Sequence, residues 1–399
     1  MMALPRNISP NLLMLIAAVA ISMLGGTTLA ADEVRGVTDT EIIIGTMTDL
    51  SGVTAVQAVN NVNAVRMAFD EANAKGGVHG RQIKYIVEDM QYQVPKAVQA
   101  MNKLLNRDNI FFAIVNGGTP MNDAVMPMMF AKNVPNVFPL TAARSMYEPF
   151  SRFKFGQFAS YYDEMRAGVK YFVQQQGRKA ICAMYQDSDF GRDVLAGAEA
   201  EAQALGLQIV ARTAHAPTDT DFTSAVTKLR EASCDMVVLG TIVRDTIIIL
   251  QTAHKQGWNP DFVGQVATYS TAIAEAPGNP AEGFYAMTPA LYAYPDDPRP
   301  AVSAFAAKYK ARYGFDVNFL GETGYTAAQF VLAALDKAGR DLTLDSFITA
   351  LESMRDYRDI FGSPPLTITS TNHHAANQSF LTVVHNGRWV PVEPEPLGY

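Results

Sequence analysis

Residues 41–49, EIIIGTMTD, and residues 57–77, QAVNNVNAVRMAFDEANAKGG, set the architecture. The first run is short, apolar and rich in β-branched side chains, as a buried strand requires. The second places Val62, Val65, Phe69 and Ala72 on one helical face and stops at Gly76-Gly77. A strand answered by a helix of this length is one βα unit. Gln82–Asp89 reads as the next strand, and Pro95 opens a helix carrying Val98, Met101, Leu104 and Leu105. Ile110–Val115 is a third strand, Met121–Lys132 a helix and Val134–Pro139 a fourth strand. Right-handed βαβ units in series predict a parallel, doubly wound sheet.

The rhythm restarts after Phe155. Helices are expected over Tyr161–Gln176, Gly191–Leu205, Phe222–Glu231 and Arg244–Gln256. Strands alternate with them at Lys179–Tyr185, Leu207–Thr213, Asp235–Gly240 and Asp261–Val266, with a last one over Glu282–Thr288. Helices Ala301–Tyr313, Thr323–Ala338 and Leu344–Arg355 follow without strands, and Ser379–Val390 alternates like a hairpin around Asn386-Gly387. The fold class is therefore α/β, with two doubly wound, Rossmann-like lobes joined by a multi-segment hinge. Lobe one is expected to hold 34–156 and 290–362, and lobe two 157–289 and 363–392. Crossings are predicted near Phe155–Tyr161, near Met287–Tyr294 and after Phe361.

The amino terminus reads as a secretory leader, with one charge at Arg6, an apolar stretch from Leu12 to Leu24 and Thr28-Leu29-Ala30 as the cleavage site. No cysteine stands near the cut, so no lipid anchor is expected, and the expected compartment is a bacterial periplasm. Of 399 residues roughly 369 then remain, enough for two domains. Charged residues make up 18% and hydrophobic ones 48%, which suits a globular chain with a core. The formal charge of −7 comes without a Lys/Arg run, which argues against nucleic acid or an anionic membrane as partner. Cys182 and Cys234 are the two cysteines; buried free thiols are the expectation and a bridge the alternative.

Catalytic signatures are missing. No G-x-G-x-x-G follows the first strand, and no phosphate-binding P-loop, G-x-S-x-G elbow or H-E-x-x-H helix occurs. His373-His374 points two ways from adjacent positions and reads as an exposed loop pair. Asp187 and Asp189 read as helix-capping groups. No metal or cofactor is implied.

Small, polar turns do recur at the carboxyl ends of the strands: Leu50-Ser51-Gly52, Asn116-Gly117-Gly118-Thr119, Leu140-Thr141-Ala142-Ala143-Arg144, Asp187–Gly191 and Gly240-Thr241. In open α/β sheets ligands bind at that edge, where glycine admits close approach and helix starts offer N–H groups to an anion. These turns predict a cleft for an anionic ligand.

With those residues in view the chain resembles a type I periplasmic solute-binding protein of the leucine/isoleucine/valine-binding group, receptors of ATP-driven importers. The resemblance runs through Ile44-Gly45, Leu50-Ser51-Gly52, Asp70 to Gly77, Gly80 to Asp89, Asp187–Gly191, Asp221-Phe222-Thr223 and Ala281-Glu282-Gly283-Phe284. It implies that Thr119 donates to a ligand carboxylate, that Thr141 and Ala142 hold the head group, and that Phe190 closes from the second lobe. Ser51, Gly118 and Thr241 lie in the same turns. Where amino-acid receptors of the group place an acid for the ligand ammonium, this chain has Gln265-Val266. A buried ammonium without counter-charge costs several kcal/mol. The expected ligand is therefore a small aromatic or other organic acid. Arg144 and Arg244 are candidate carboxylate partners, with an exposed Arg244–Asp245 pair the alternative. Tyr161, Tyr162 and Tyr269 are candidate walls. An amino acid paired with Glu322 or Asp163, a secreted α/β hydrolase or dehydrogenase, and a sensory module are the rival readings. The expected partners are the ligand and an inner-membrane permease, with the protein acting as a monomer.

Overall fold

The computed structural model describes residues Val34–Tyr399, and the expected leader, 1–30, lies outside the described residues. The chain runs β1 Glu41–Thr48, α1 Ala55–Ala74, β2 Gln82–Asp89, α2 Val94–Asn106, β3 Phe112–Ile114, α3 Thr119–Phe130, β4 Asn136–Val137 and β5 Lys154–Phe155. It continues with α4 Tyr161–Gln176, β6 Ile181–Gln186, α5 Asp189–Ala204, β7 Ala211–His215, α6 Thr223–Glu231, β8 Met236–Gly240 and α7 Val243–Lys255. Then come β9 Asp261–Gly264, α8 Thr271–Ala274, β10 Tyr285–Thr288, α9 Pro300–Tyr313, α10 Phe319–Ala338, α11 Leu344–Glu352, β11 Phe380–His385 and β12 Arg388–Pro391.

The first sheet is five-stranded and parallel, in the order β2-β1-β3-β4-β5. Helices cover both faces, so β1 reads as an apolar run and not as an alternation. Ile42 and Ile44 pack with Phe330 of α10 and Phe347 of α11, while Met47 meets Met101 and Leu104 of α2. Turn chemistry sets the pairing of β1 with β2. Gly77 sits at φ +75°, and a Cβ there would lie 1.9 Å from Arg81 O, so only glycine fits.

The second sheet is seven-stranded, in the order β12-β11-β10-β9-β8-β6-β7. Its β6–β10 portion is parallel, and the β11–β12 hairpin adds antiparallel to β10. Cys182 of β6 is joined to Cys234, just before β8, with Cα atoms 5.9 Å apart. This corrects the expectation of free thiols: adjacent parallel strands bring the two residues within bridging range.

Three crossings connect the lobes. The first leaves β5 for α4 and the second leaves β10 for α9. Helix α9 lies against α1, where Lys308 pairs with Glu71 at 2.6 Å and the Tyr313 hydroxyl donates to Asn63 O at 2.7 Å. The third falls later than the expected point after Phe361. Leu366, Ile368, Ala375 and Ala376 are buried in the first lobe's core, and His374 bridges to Gly156, so residues 363–376 pack with lobe one. His373-His374 is corrected too. His373 is buried, bonded through Nδ1 to Lys154 O (2.8 Å) and through Nε2 to Glu352 Oε1 (3.1 Å). The strand expected over Leu207–Thr213 starts four residues later and ends two later, as β7.

Candidate functional site

Both sheets reverse strand order beside their first strand, at β1/β3 and at β6/β8. The loops leaving the carboxyl ends of strands at such a reversal form a crevice. A cavity of about 680 Å³, measured to its open mouth, lies where the two crevices meet.

Lobe one lines it with Thr48 at the end of β1, Thr54, Gln57 and Ala58 beyond it, Tyr92 beyond β2, Gly117-Gly118-Thr119 beyond β3 and Leu140-Thr141-Ala142 beyond β4. Leu320 of α10 completes that wall. Lobe two supplies Tyr161, Phe190, Ile242, Val266 and Ala267, and Phe158 stands in the first crossing. Gly118 is required to be glycine. It holds φ +73°, and a Cβ would lie 2.4 Å from Met121 Cε and 3.2 Å from the Tyr92 ring.

Polar groups on this wall are hydroxyls and backbone. Thr119 Oγ1 and Thr141 Oγ1 share a hydrogen bond at 2.6 Å, and Thr141 Oγ1 donates to the Tyr161 hydroxyl at 3.4 Å. Burial pushes the Tyr161 hydroxyl up to about 12, so it stays protonated. Thr54, Gly118 and Ile242 cap α1, α3 and α7, and Phe190 lies in the first turn of α5. None of these four helix starts receives a side-chain cap, but Asp49 accepts from Thr54 N at the start of α1 and Asp189 and Asp245 stand in the first turns of α5 and α7, so the positive end left without an adjacent carboxylate is that of α3. Among the described residues no charged side chain lines it.

Of the residues singled out in the sequence, Gly118, Thr119, Thr141, Ala142, Tyr161 and Phe190 come together here. The others stand elsewhere. Ser51 Oγ donates to Asp89 Oδ2 at 2.6 Å. Arg144 faces Asp193 of α5, with Nε 2.7 Å from Oδ1, and its guanidinium covers the Tyr162 ring at 4.0 Å. Arg244 is held by Asp245 (2.6 Å) and the carbonyls of Pro217 and Asp219. Thr241 Oγ1 pairs with Thr246 Oγ1 at 2.7 Å, and the buried Tyr269 hydroxyl accepts from Tyr292 N at 2.9 Å. In each case a neighbour close in space takes the polar group that the cavity was expected to use.

The acids weighed for a ligand ammonium are likewise outside the cavity. Asp163 closes the capping box of α4 with Ser160, and Glu322 Oε1 accepts from Ala293 N at 3.0 Å. Gln265 spends its amide on Thr241 O (3.0 Å) and Ala267 N (2.6 Å). Asp187 and Asp189 both brace Arg192, at 2.6 and 2.9 Å, instead of capping α5. Tyr92, Ile242 and Leu320 were missed. Tyr92 reaches the cavity from a turn at φ +53° that no glycine marks, and Leu320 arrives from a helix remote in sequence. Among the described residues no cluster of three or more His, Cys, Asp or Glu could hold a metal ion, and no helix is long and apolar enough to cross a membrane.

A family model described as periplasmic binding protein matches residues 41–388. The chain belongs to the type I periplasmic binding proteins of the leucine/isoleucine/valine-binding family. Proteins of this ABC-transporter family bind small molecules without transforming them, meet a permease and work in the periplasm. This binding protein is 22% identical over 328 residues to a leucine-, isoleucine-, valine-, threonine- and alanine-binding protein of Pseudomonas aeruginosa, covering 82% of the chain and 84% of the relative. Among solved structures it is similar to a fatty acid ABC transporter substrate-binding protein from Thermomonospora curvata, at TM-score 0.83 and 26% identity, over 92% of this chain and 95% of that one. A branched-chain amino acid ABC transporter protein from Thermus thermophilus with bound valine aligns at TM-score 0.82 and 20% identity, over 91% and 98%, and shares the fold.

Proposed function

We propose that this binding protein captures, as a monomer, a small monocarboxylate without an ammonium group, an aromatic or other organic acid. The observation that carries the reading is the wall of the cavity. The uncapped start of α3 and the Thr119–Thr141 hydroxyl pair face it, with no charged side chain among the described lining residues. Helix starts stabilise an anion. An α-amino acid would also bury an ammonium against an uncharged wall, at a cost of several kcal/mol. The likeness at 26% identity to a fatty acid-binding importer component supports an acid ligand.

The carboxylate is held by Gly118, Thr119, Thr141 and Ala142 of lobe one. Tyr161, Phe190 and Ile242 close over the rest from lobe two. Because the ligand touches both walls only when the lobes are shut, it favours that state by its differential affinity, and a permease reads the closed form. A thermal-shift screen of leucine, aromatic and aliphatic monocarboxylates and their amides tests this. Acids are expected to raise the melting temperature and amides to raise it less. A shift with leucine alone overturns the reading.

A further inference from the structure

The wall of the cavity carries polar side chains that the head group does not use. Thr48, Gln57 and Tyr92 all line it, from the end of β1, the first turn of α1 and the turn after β2. Gln57 shares its helix face with Thr54 and Ala58, which line the same space. Thr48 and Tyr92 flank the Gly117-Gly118 turn that leads into Thr119. A Cβ on Gly117 would lie 2.8 Å from Thr48 Oγ1, and one on Gly118 3.2 Å from the Tyr92 ring. Without side chains at either glycine, that turn leaves both residues uncovered.

Their hydrogen bonding sets these groups apart. The Thr119, Thr141 and Tyr161 hydroxyls bond to one another. Two residues before Thr48 on β1, Thr46 Oγ1 donates to Ile114 O at 2.5 Å and accepts from the Tyr85 hydroxyl at 2.9 Å. Thr48 is only 1% exposed, yet its hydroxyl has no hydrogen-bond partner among the described residues. The same holds for the Tyr92 hydroxyl and the Gln57 carboxamide. Burial raises the Tyr92 hydroxyl above the usual phenol range, so it keeps its proton. A ligand that laid only hydrocarbon against these groups would leave them unpaired, and a site built this way discriminates against the analogue lacking the matching group.

Resting on the carboxylate reading above, we infer that Thr48, Gln57 and Tyr92 form a second polar subsite, and that the substrate class is monocarboxylates bearing an uncharged hydroxyl or carbonyl group. The carboxylate lies at Thr119 and Thr141, and the second group lies beside the Gly117-Gly118 turn. Two hydroxyls and an amide can each donate and accept, so they serve a ligand hydroxyl and a ligand carbonyl alike. With no charged side chain among the described lining residues, a second charge on the ligand would be buried without compensation.

Isothermal titration with benzoate, its ortho, meta and para hydroxy derivatives, hexanoate and 2-oxohexanoate tests the inference, on the parent protein and on Thr48→Val, Gln57→Leu and Tyr92→Phe. At least one substituted acid should bind about tenfold or more tightly than its unsubstituted parent. The variants should cut that advantage by about fivefold while leaving the unsubstituted acids within about twofold. Unsubstituted acids that bind as tightly as every substituted one, or an advantage untouched by the variants, overturn the second subsite and leave the head-group reading standing. Failure of every acid to bind overturns both.

Discussion

Arg144 and Asp193 lie on opposite lobes and meet twice. The Arg144 guanidinium Nε is 2.7 Å from Asp193 Oδ1, and the Arg144 backbone N–H donates to Oδ2 at 3.1 Å. One carboxylate thus ties the loop beyond β4 to α5 at the rim of the cavity. The arginine that looked like a ligand partner in the sequence is a latch between lobes.

Because the pair is partly exposed, with Arg144 at 34%, its contribution to closure is modest, about 1 kcal/mol. Asp193→Asn is expected to weaken the acid returned by the screen threefold to tenfold. It should also raise the ligand-free radius of gyration in small-angle scattering. Unchanged affinity and an unchanged radius would show that the lobes close without this contact.

Thr119→Val removes a hydroxyl proposed to hold the head group and is expected to weaken acid binding by about 1–3 kcal/mol. Thr141→Val should act alike. With the two oxygens 2.6 Å apart, the double variant should lose less than the sum of the single losses. Calorimetric titration of all three variants checks this, and strict additivity would separate their roles.

Glu322 gives the protein a pH dependence of defined sign. Burial raises its carboxyl to about 8, aided by Asp359 and opposed by the Ala293 N–H and by Arg299, and Oε2 has no partner among the described residues. In the unfolded chain this group titrates near about 4.3. Between those values the folded protein holds a proton that the unfolded chain has released, so stability is full in acid and declines as pH rises toward 8. Melting temperatures from pH 5 to 9 should fall across that window, and Glu322→Gln should flatten the slope. Glu164, also raised by burial, keeps the flattening partial. An identical slope in the variant would assign the effect elsewhere.

The Cys182–Cys234 bridge spans a sequence separation of 52, and in the loop-entropy description such a crosslink adds about 4 kcal/mol. Replacing both cysteines by alanine is expected to lower the urea midpoint strongly. Acid affinity should be unchanged, since neither residue reaches the cavity wall. A variant with the parent's midpoint would contradict this.

What was legible in the sequence was what depends on local pattern. The β1–α1 unit, the succession of βα units along the chain and the Asn386-Gly387 hairpin follow from periodicity and turn residues. So do the glycine-bearing turns that reach the cavity, because a strand's end and the next helix start are neighbours along the chain. The roles of long polar side chains were not legible. Arg144 finds its acid 49 positions away, and Arg244 finds carbonyls 25 and 27 positions back, partners fixed only by packing. Residues 363–376 were misplaced for the same reason, since a segment without regular structure carries no sign of the core it fills.

The three crossings have a consequence for dissection. A protease that nicks the backbone at any one of them leaves two fragments that share a hydrophobic core, because β1–β5 depend on α10 and α11, and β10 depends on the hairpin that ends the chain. Neither half can be excised as a contiguous piece, so the molecule once cut stays interlocked.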